Sequence, residues 1–225
     1  MKSTFTCLRL AAILFTVPLA SHAAPGAYVG VDAGANWQRM QKMYQAGFNF
    51  VNLELEKPFD SGTVLGIKGG YAFSNGVRAE LELVERSNDM ETFTARAYDG
   101  GGSLDASGKE TARSLFANAW YDFAPQAAVF NARPYIGGGI GRTRVKVHDM
   151  EAGGVPFGNA DAYVNAFQLG AGVIVPLQAN LGLSIDYRFL RTQSGNFGNI
   201  RNIPPGDVHT RYSANSLSLG LQYAF

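Results

Sequence analysis

The chain has 225 residues, 46% of them hydrophobic and 16% charged, with 19 basic side chains against 18 acidic ones. So even a balance leaves no basic footprint for nucleic acid, and no apolar run long enough for a helical membrane span follows residue 23. The single cysteine, Cys7, excludes an internal disulfide and a thiolate metal site.

Lys2 and Arg9 precede an apolar stretch from Leu10 to Ala20, and Ser21-His22-Ala23 puts small residues at both recognition positions of a cleavage site. Residues 1–23 read as a secretory signal peptide and residues 24–225 as one domain. The apolar stretch is shorter than the roughly 20 residues of a spanning helix. Cys7 lies ahead of it, whereas a lipoprotein cysteine would follow it. Without Lys2 and Arg9 the remaining chain is close to neutral, with a slight acidic excess.

The rest of the chain alternates in steps of two, the period of a strand. Tyr28 to Gln38 turns Val29, Val31, Ala33, Ala35 and Trp37 one way and Gly30, Asp32, Gly34 and Asn36 the other. Thr63 to Phe73 places Leu65, Ile67, Tyr71 and Phe73 opposite Gly66, Lys68 and Gly70. Val77 to Arg86 separates Leu81 and Leu83 from Arg78, Glu80 and Glu82. Ala112 to Phe123 separates Leu115, Tyr121 and Phe123 from Asn118, Trp120 and Asp122. In Arg133 to Val147 the Gly137-Gly138-Gly139 run leaves the facing open. Tyr163 to Leu177 and Leu181 to Arg191 alternate again, the latter with Asp186 and Arg188 on its polar face. The last strand starts near Ser213 and sets Leu217, Leu219, Leu221, Tyr223 and Phe225 against Ser218, Gly220, Gln222 and Ala224.

Short connections (74–76, 124–132, 178–180) alternate with four long ones, 39–62, 87–111, 148–162 and 192–212, rich in Gly, Asn, Asp, Ser and Pro. Eight strands with this rhythm predict an all-β fold, an eight-stranded antiparallel up-and-down transmembrane barrel with four long surface loops. Both chain ends then lie on the short-turn side. A three-residue turn at 74–76 pairs Phe73 with Val77, Lys68 with Glu82 and Gly70 with Glu80. The turn at 178–180 likewise pairs Gly172 with Asp186 and Gly170 with Arg188, since a one-residue slip would reverse every facing. Aromatics fall near the strand ends, as the girdles of a membrane barrel do.

The stretch Gly69-Gly-Tyr-Ala-Phe-Ser-Asn-Gly-Val-Arg-Ala-Glu-Leu-Glu-Leu-Val-Glu-Arg-Ser-Asn-Asp89 resembles the OmpA-like family of small outer-membrane barrels, related to the opacity-type surface proteins. Asn118-Ala-Trp-Tyr-Asp-Phe123, Pro134-Tyr-Ile-Gly-Gly-Gly-Ile-Gly141, Leu169-Gly-Ala-Gly-Val173 and Asp186-Tyr-Arg188 extend the likeness over the whole mature chain. The resemblance implies export to the bacterial outer membrane, where lipid and lipopolysaccharide surround the barrel. It also implies handling by periplasmic chaperones and by the barrel assembly machinery, whose signal Leu217, Leu219, Leu221, Tyr223 and Phe225 resemble. A host or cell-surface ligand would meet the loops. The chain departs from full-length OmpA in having no Pro-rich linker or peptidoglycan-binding domain after Phe225.

Asp32, Lys68, Arg78, Glu80, Glu82, Asp122, Asp186 and Arg188 are expected to point into the lumen. They read either as a salt-bridged plug or as a polar ion path, with a further option of acid–base work by Glu80 and Glu82. After residue 23 the histidines are His148 and His209, both expected in loops and neither in a His-x-Ser pattern. No catalytic, cofactor or metal residue is therefore assigned. Asp99-Gly-Gly-Gly-Ser-Leu-Asp105 lacks the spacing of a calcium loop. The first long loop carries Met40, Met43, Tyr44, Phe48 and Phe50, an apolar set suited to local packing or to a partner. The expectation is a surface barrel with a structural or interaction role: envelope integrity, a surface antigen or adhesion. A narrow channel and a lipid-modifying enzyme are the alternatives.

Overall fold

A computed structural model describes residues 25–38, 44–45, 61–90, 106–123, 131–152, 155–196 and 208–225. The signal segment, the 99–105 run, and Met40, Met43, Phe48 and Phe50 lie outside these residues. The strands are β1 (Gly26–Gln38), β2 (Tyr44–Gln45), β3 (Ser61–Ala72), β4 (Val77–Met90), β5 (Ala106–Asp122), β6 (Arg133–Ala152), β7 (Val155–Pro176), β8 (Leu181–Thr192), β9 (Gly195–Asn196), β10 (Val208–Thr210) and β11 (Ser213–Ala224).

Eight of them close into a barrel in the order β1-β11-β8-β7-β6-β5-β4-β3. Closure leaves no strand edge along the seam, which an apolar surrounding demands because it offers backbone groups no other partner. The seam pairs β1 with β11 from Tyr28 opposite Ala224 to Gln38 opposite Ala214. The Phe225 amide then donates to the Ala27 carbonyl at 3.0 Å, so both ends of the barrel chain meet at one rim.

That rim also carries the tight turns. The Phe73 amide donates to the Val77 carbonyl at 2.8 Å, and Leu177 does the same to Leu181. Gly76 sits at φ 83°, a conformation in which a side chain would be strained. These turns fix the register expected from the pleat: Lys68 faces Glu82, Gly70 faces Glu80, Gly172 faces Asp186 and Gly170 faces Arg188.

The opposite rim differs from expectation. Residues 148–162, read above as the third loop, are mostly strand, since β6 and β7 stay paired out to Ala152 and Val155. Strict alternation stops at His148 because the ladder slips between Val147 and Met150, and Asp149 adopts φ 57°. A bulge of this kind interrupts the period of two without ending the strand. His148 is thus a strand residue, its Nδ1 2.8 Å from an Asp149 carboxylate oxygen. Likewise β4 runs to Met90 and β5 begins at Ala106. The first and fourth connections meet: β2, β9 and β10, expected as loop, form a small sheet in which His209 pairs with both Tyr44 and Asn196.

Polarity is reversed relative to a water-soluble domain. Leu65, Leu81 and Ile140 are 60, 62 and 73% exposed, whereas Glu82, Arg78 and Asp186 are 3, 3 and 1% exposed. Such a surface is stable only where the outer medium is hydrocarbon. At the turn rim the outward aromatics pair edge to face, Tyr121 with Phe123 at 5.3 Å and Tyr223 with Phe225 at 5.4 Å between centroids. Near the other rim Phe167 meets Phe189.

Candidate functional site: the lumen and the outer wall

All eight charged residues singled out in the sequence lie on the inner face of their strands, and Asp122 is the only one of them that is more than marginally exposed. They divide into linked clusters. Lys68 on β3 donates to Asp32 on β1 at 2.7 Å. Arg78 on β4 donates through Nε to Asp122 on β5 at 2.8 Å, and its guanidinium carbon lies 4.8 Å from the centre of the Tyr135 ring. Arg188 on β8 reaches across the lumen to Glu82 on β4 at 2.6 Å and stays within 3.3 Å of Asp186. The same guanidinium stacks 4.8 Å from the Trp120 ring centre.

The carboxylates are satisfied further by neutral donors. Glu82 also accepts from Gln168 at 2.6 Å and Asn118 at 2.9 Å. Glu80 accepts from the Tyr28 hydroxyl at 2.9 Å and from Asn118 and Trp120, each at 3.0 Å. Tyr135 donates to Asp186. A charge withdrawn from water is costly unless paired and hydrogen-bonded, and this network supplies most of both, leaving Asp32 Oδ2, Asp186 Oδ2 and Arg78 Nη2 without hydrogen-bond partners among the described residues.

Small residues make the room. A Cβ on Gly220 would overlap the Asp32 carboxylate, and one on Gly139 would overlap the Asn118 amide. A Cβ on Gly170 would press on both Trp120 and Arg188, at 3.2 and 3.3 Å. This resolves the facing of β6 that the glycine run left open. Tyr135, Gly137, Gly139, Gly141 and Thr143 point inward, and Ile136, Ile140 and Arg142 outward.

Sequence reasoning missed several lumen residues. Tyr28, Tyr135, Gln168 and Tyr212 are buried inside, as is Arg86 at 1% exposure. Arg86 sits beside an apolar collar of Val64, Val84, Ala112, Phe116, Val145 and Leu190, opposite Val64 on β3 and Ala112 on β5. Its Nε and Nη1 have no hydrogen-bond partner among the described residues. The signal that could have found Arg86 is strand parity, because it shares a face with Arg78, Glu80 and Glu82. Beyond the collar, Gln38 donates to Glu110 at 2.9 Å and Asn36 lies within 3.5 Å of the Tyr212 hydroxyl. Among the described residues no group of His, Cys, Asp and Glu is arranged to hold a metal ion.

A closed barrel that buries charge and exposes aliphatic side chains is a membrane-spanning β-barrel. The sequence profile of the Outer membrane protein beta-barrel domain matches residues 7–225, and the chain belongs to that family, as a protein of the bacterial outer membrane. It is similar to the outer membrane protein PagN of Salmonella typhimurium, 27% identical over 180 residues that cover 74% of this chain and 73% of PagN. Two solved structures share the fold. Neisserial surface protein A is 20% identical with a TM-score of 0.53, covering 89% of this chain and 97% of its own. OprG of Pseudomonas aeruginosa is 13% identical with a TM-score of 0.52, covering 88% and 96%.

Proposed function

We propose that the chain is a non-catalytic, non-conducting scaffold of the outer membrane that presents the segments at its open rim to ligands on other cells or in the envelope. The observation that carries this reading is the lumen. Ion pairs from β1, β3, β4, β5 and β8 fill it, with Arg188 bridging from β8 to β4 across the interior. An eight-stranded barrel is only just wide enough for side chains to fill, so a ligand-sized path is not available beside this network. The described His148 lies on an exposed strand beside Asp149, with no serine in the pattern a nucleophilic site needs. What remains for recognition is the rim with the long connections 39–60, 91–105 and 197–207, since loops on a rigid scaffold carry function.

In this reading residues 1–23 direct export and are removed. Leu217, Leu219, Leu221, Tyr223 and Phe225 then serve the assembly machinery as a strand signal after periplasmic chaperones deliver the chain. Lipopolysaccharide surrounds the outer half of the wall. The test is attachment of whole cells expressing the full chain to cultured epithelial cells and to immobilised glycans. Replacing residues 46–60 by a Gly-Ser linker of equal length is expected to abolish attachment while the barrel still migrates as a folded species in unboiled gels. Attachment unchanged by replacement of 46–60, 91–105 and 197–207 in turn would refute the reading.

A further inference from the structure

We infer that the outer wall of β5 and β6 carries a binding site for the phosphate groups of the lipid A of lipopolysaccharide. Arg113 on β5 and Arg142, Arg144 and Lys146 on β6 all face outward. Register places Arg113 directly opposite Arg144, and Arg142 opposite Leu115. Four cations therefore share a patch two strands wide, with neighbouring strands about 4.8 Å apart and successive outward residues on one strand about 7 Å apart. Two carboxylates enter it. Glu85 pairs with Arg113, and Asp161 pairs with Arg144 at 2.8 Å. Arg142 and Lys146 form no ion pair among the described residues, although Asp161 stands opposite Lys146 on β7, and four cations against two carboxylates leave the patch net positive.

The Tyr163 ring organises the cluster. The guanidinium carbons of Arg142 and Arg144 lie 5.5 and 5.3 Å from its centre. Held against an aromatic face, the Arg142 guanidinium keeps its N–H edge free for an anion, while Arg144 gives Nε and Nη2 to Asp161. Guanidinium groups match phosphate oxygens in pairs, which a point charge does not.

Height selects the occupant. Tyr121 belongs to the aromatic pairs at the turn rim. From Tyr121 to Arg113 the tilted strand rises about 21 Å, close to the apolar band of about 25 Å in outer-membrane barrels. Directly below the cations the wall is Leu115, Ile140 and Phe167, all exposed. A ligand for this surface needs acyl chains against the lower part and anionic groups at the upper part. Outer-leaflet glycolipid has both, and a soluble sulfated polysaccharide has only the second. At the same level the outward residues of β1, β3 and β11 are Ala35, Trp37, Thr63 and Asn215, which carry no charge.

The inference rests on the outward orientation of the open rim adopted under Proposed function. Protease cleavage within 39–60 on intact cells tests that orientation by itself, whereas lipid binding to the purified barrel depends only on the wall. The full-length folded chain in phosphatidylcholine nanodiscs is titrated with bisphosphorylated lipid A and with the same lipid stripped of phosphate. Tighter binding of the phosphorylated form is expected. Arg142→Gln with Lys146→Gln should weaken it roughly 30-fold, at about fivefold per cation, and leave binding of the stripped lipid unchanged. Arg142→Gln alone, at an exposed position, should lose about fivefold by the same reckoning. Equal binding of the two lipids, or affinity in both variants like that of the parent chain, would overturn the inference. So would a heparin fragment that displaces lipid A at equal or lower concentration, since the patch would then serve a soluble polyanion.

Discussion

Each barrel strand reads as two sequences interleaved, and the inner and outer sets obey opposite rules. On β4, Arg78, Glu80, Glu82 and Arg86 point in and Ala79, Leu81 and Leu83 point out, so neighbours in the chain occupy different media. Inside, specificity comes from partners: Glu82 has three donors from three other strands. Outside, the aliphatic residues need only a surrounding as apolar as themselves. A substitution inside should therefore act through a few defined contacts, and one outside through depth in the membrane.

The largest effect that sharpens this contrast is at Arg188. Arg188→Leu leaves Glu82 and Asp186 without their shared cation, and a loss of about 3–5 kcal/mol is expected. Urea titration of the folded band on unboiled gels measures it, and adding Glu82→Gln should recover part of the loss. Next is the outer face. Leu81→Arg puts a charge in the middle of the exposed aliphatic belt and should cost about 2–4 kcal/mol, read from folding into phosphatidylcholine vesicles. If Leu81→Arg costs nothing, the outer wall does not face hydrocarbon.

Arg86 probes the inner rule from the other side, because it is buried with no hydrogen-bond partner for Nε and Nη1 among the described residues. Arg86→Met should leave stability unchanged or raise it by about 1 kcal/mol, since a buried charge is replaced by a packed apolar chain of similar length. The thermal midpoint of the heat-modifiable gel shift reports it. The smallest effect belongs to the exposed pair. Glu85→Gln removes the partner of Arg113 on the outer wall and should cost under about 1 kcal/mol. A loss there as large as at Arg188 would erase the distinction between the two faces.

The fold was legible because hydrophobic alternation marks strand, facing and register together. Once the 74–76 turn pairs Phe73 with Val77, every partner along β3 and β4 follows. Alternation fails where side chains are absent or a bulge intervenes. Gly137, Gly138 and Gly139 give no facing until Trp120 is seen lying over Gly137 and Asn118 over Gly139. The slip near Asp149 hid the outer parts of β6 and β7, and two-residue strands such as β2 and β9 are too short for a period. Within the lumen the charged residues were visible by parity. Their pairing was not, because Arg188 reaches Glu82 across the interior, a contact set by barrel curvature rather than by spacing in the chain.

In the proposed reading these ion pairs close the lumen. Single-channel recording of the full chain in planar bilayers tests it most directly. No steady open level is expected for the parent chain, and openings should appear only when Arg188 and Glu82 are both replaced by alanine. Stable openings in the parent chain that vanish when Lys68 or Glu82 is neutralised would contradict the claim and make the lumen a conducting path.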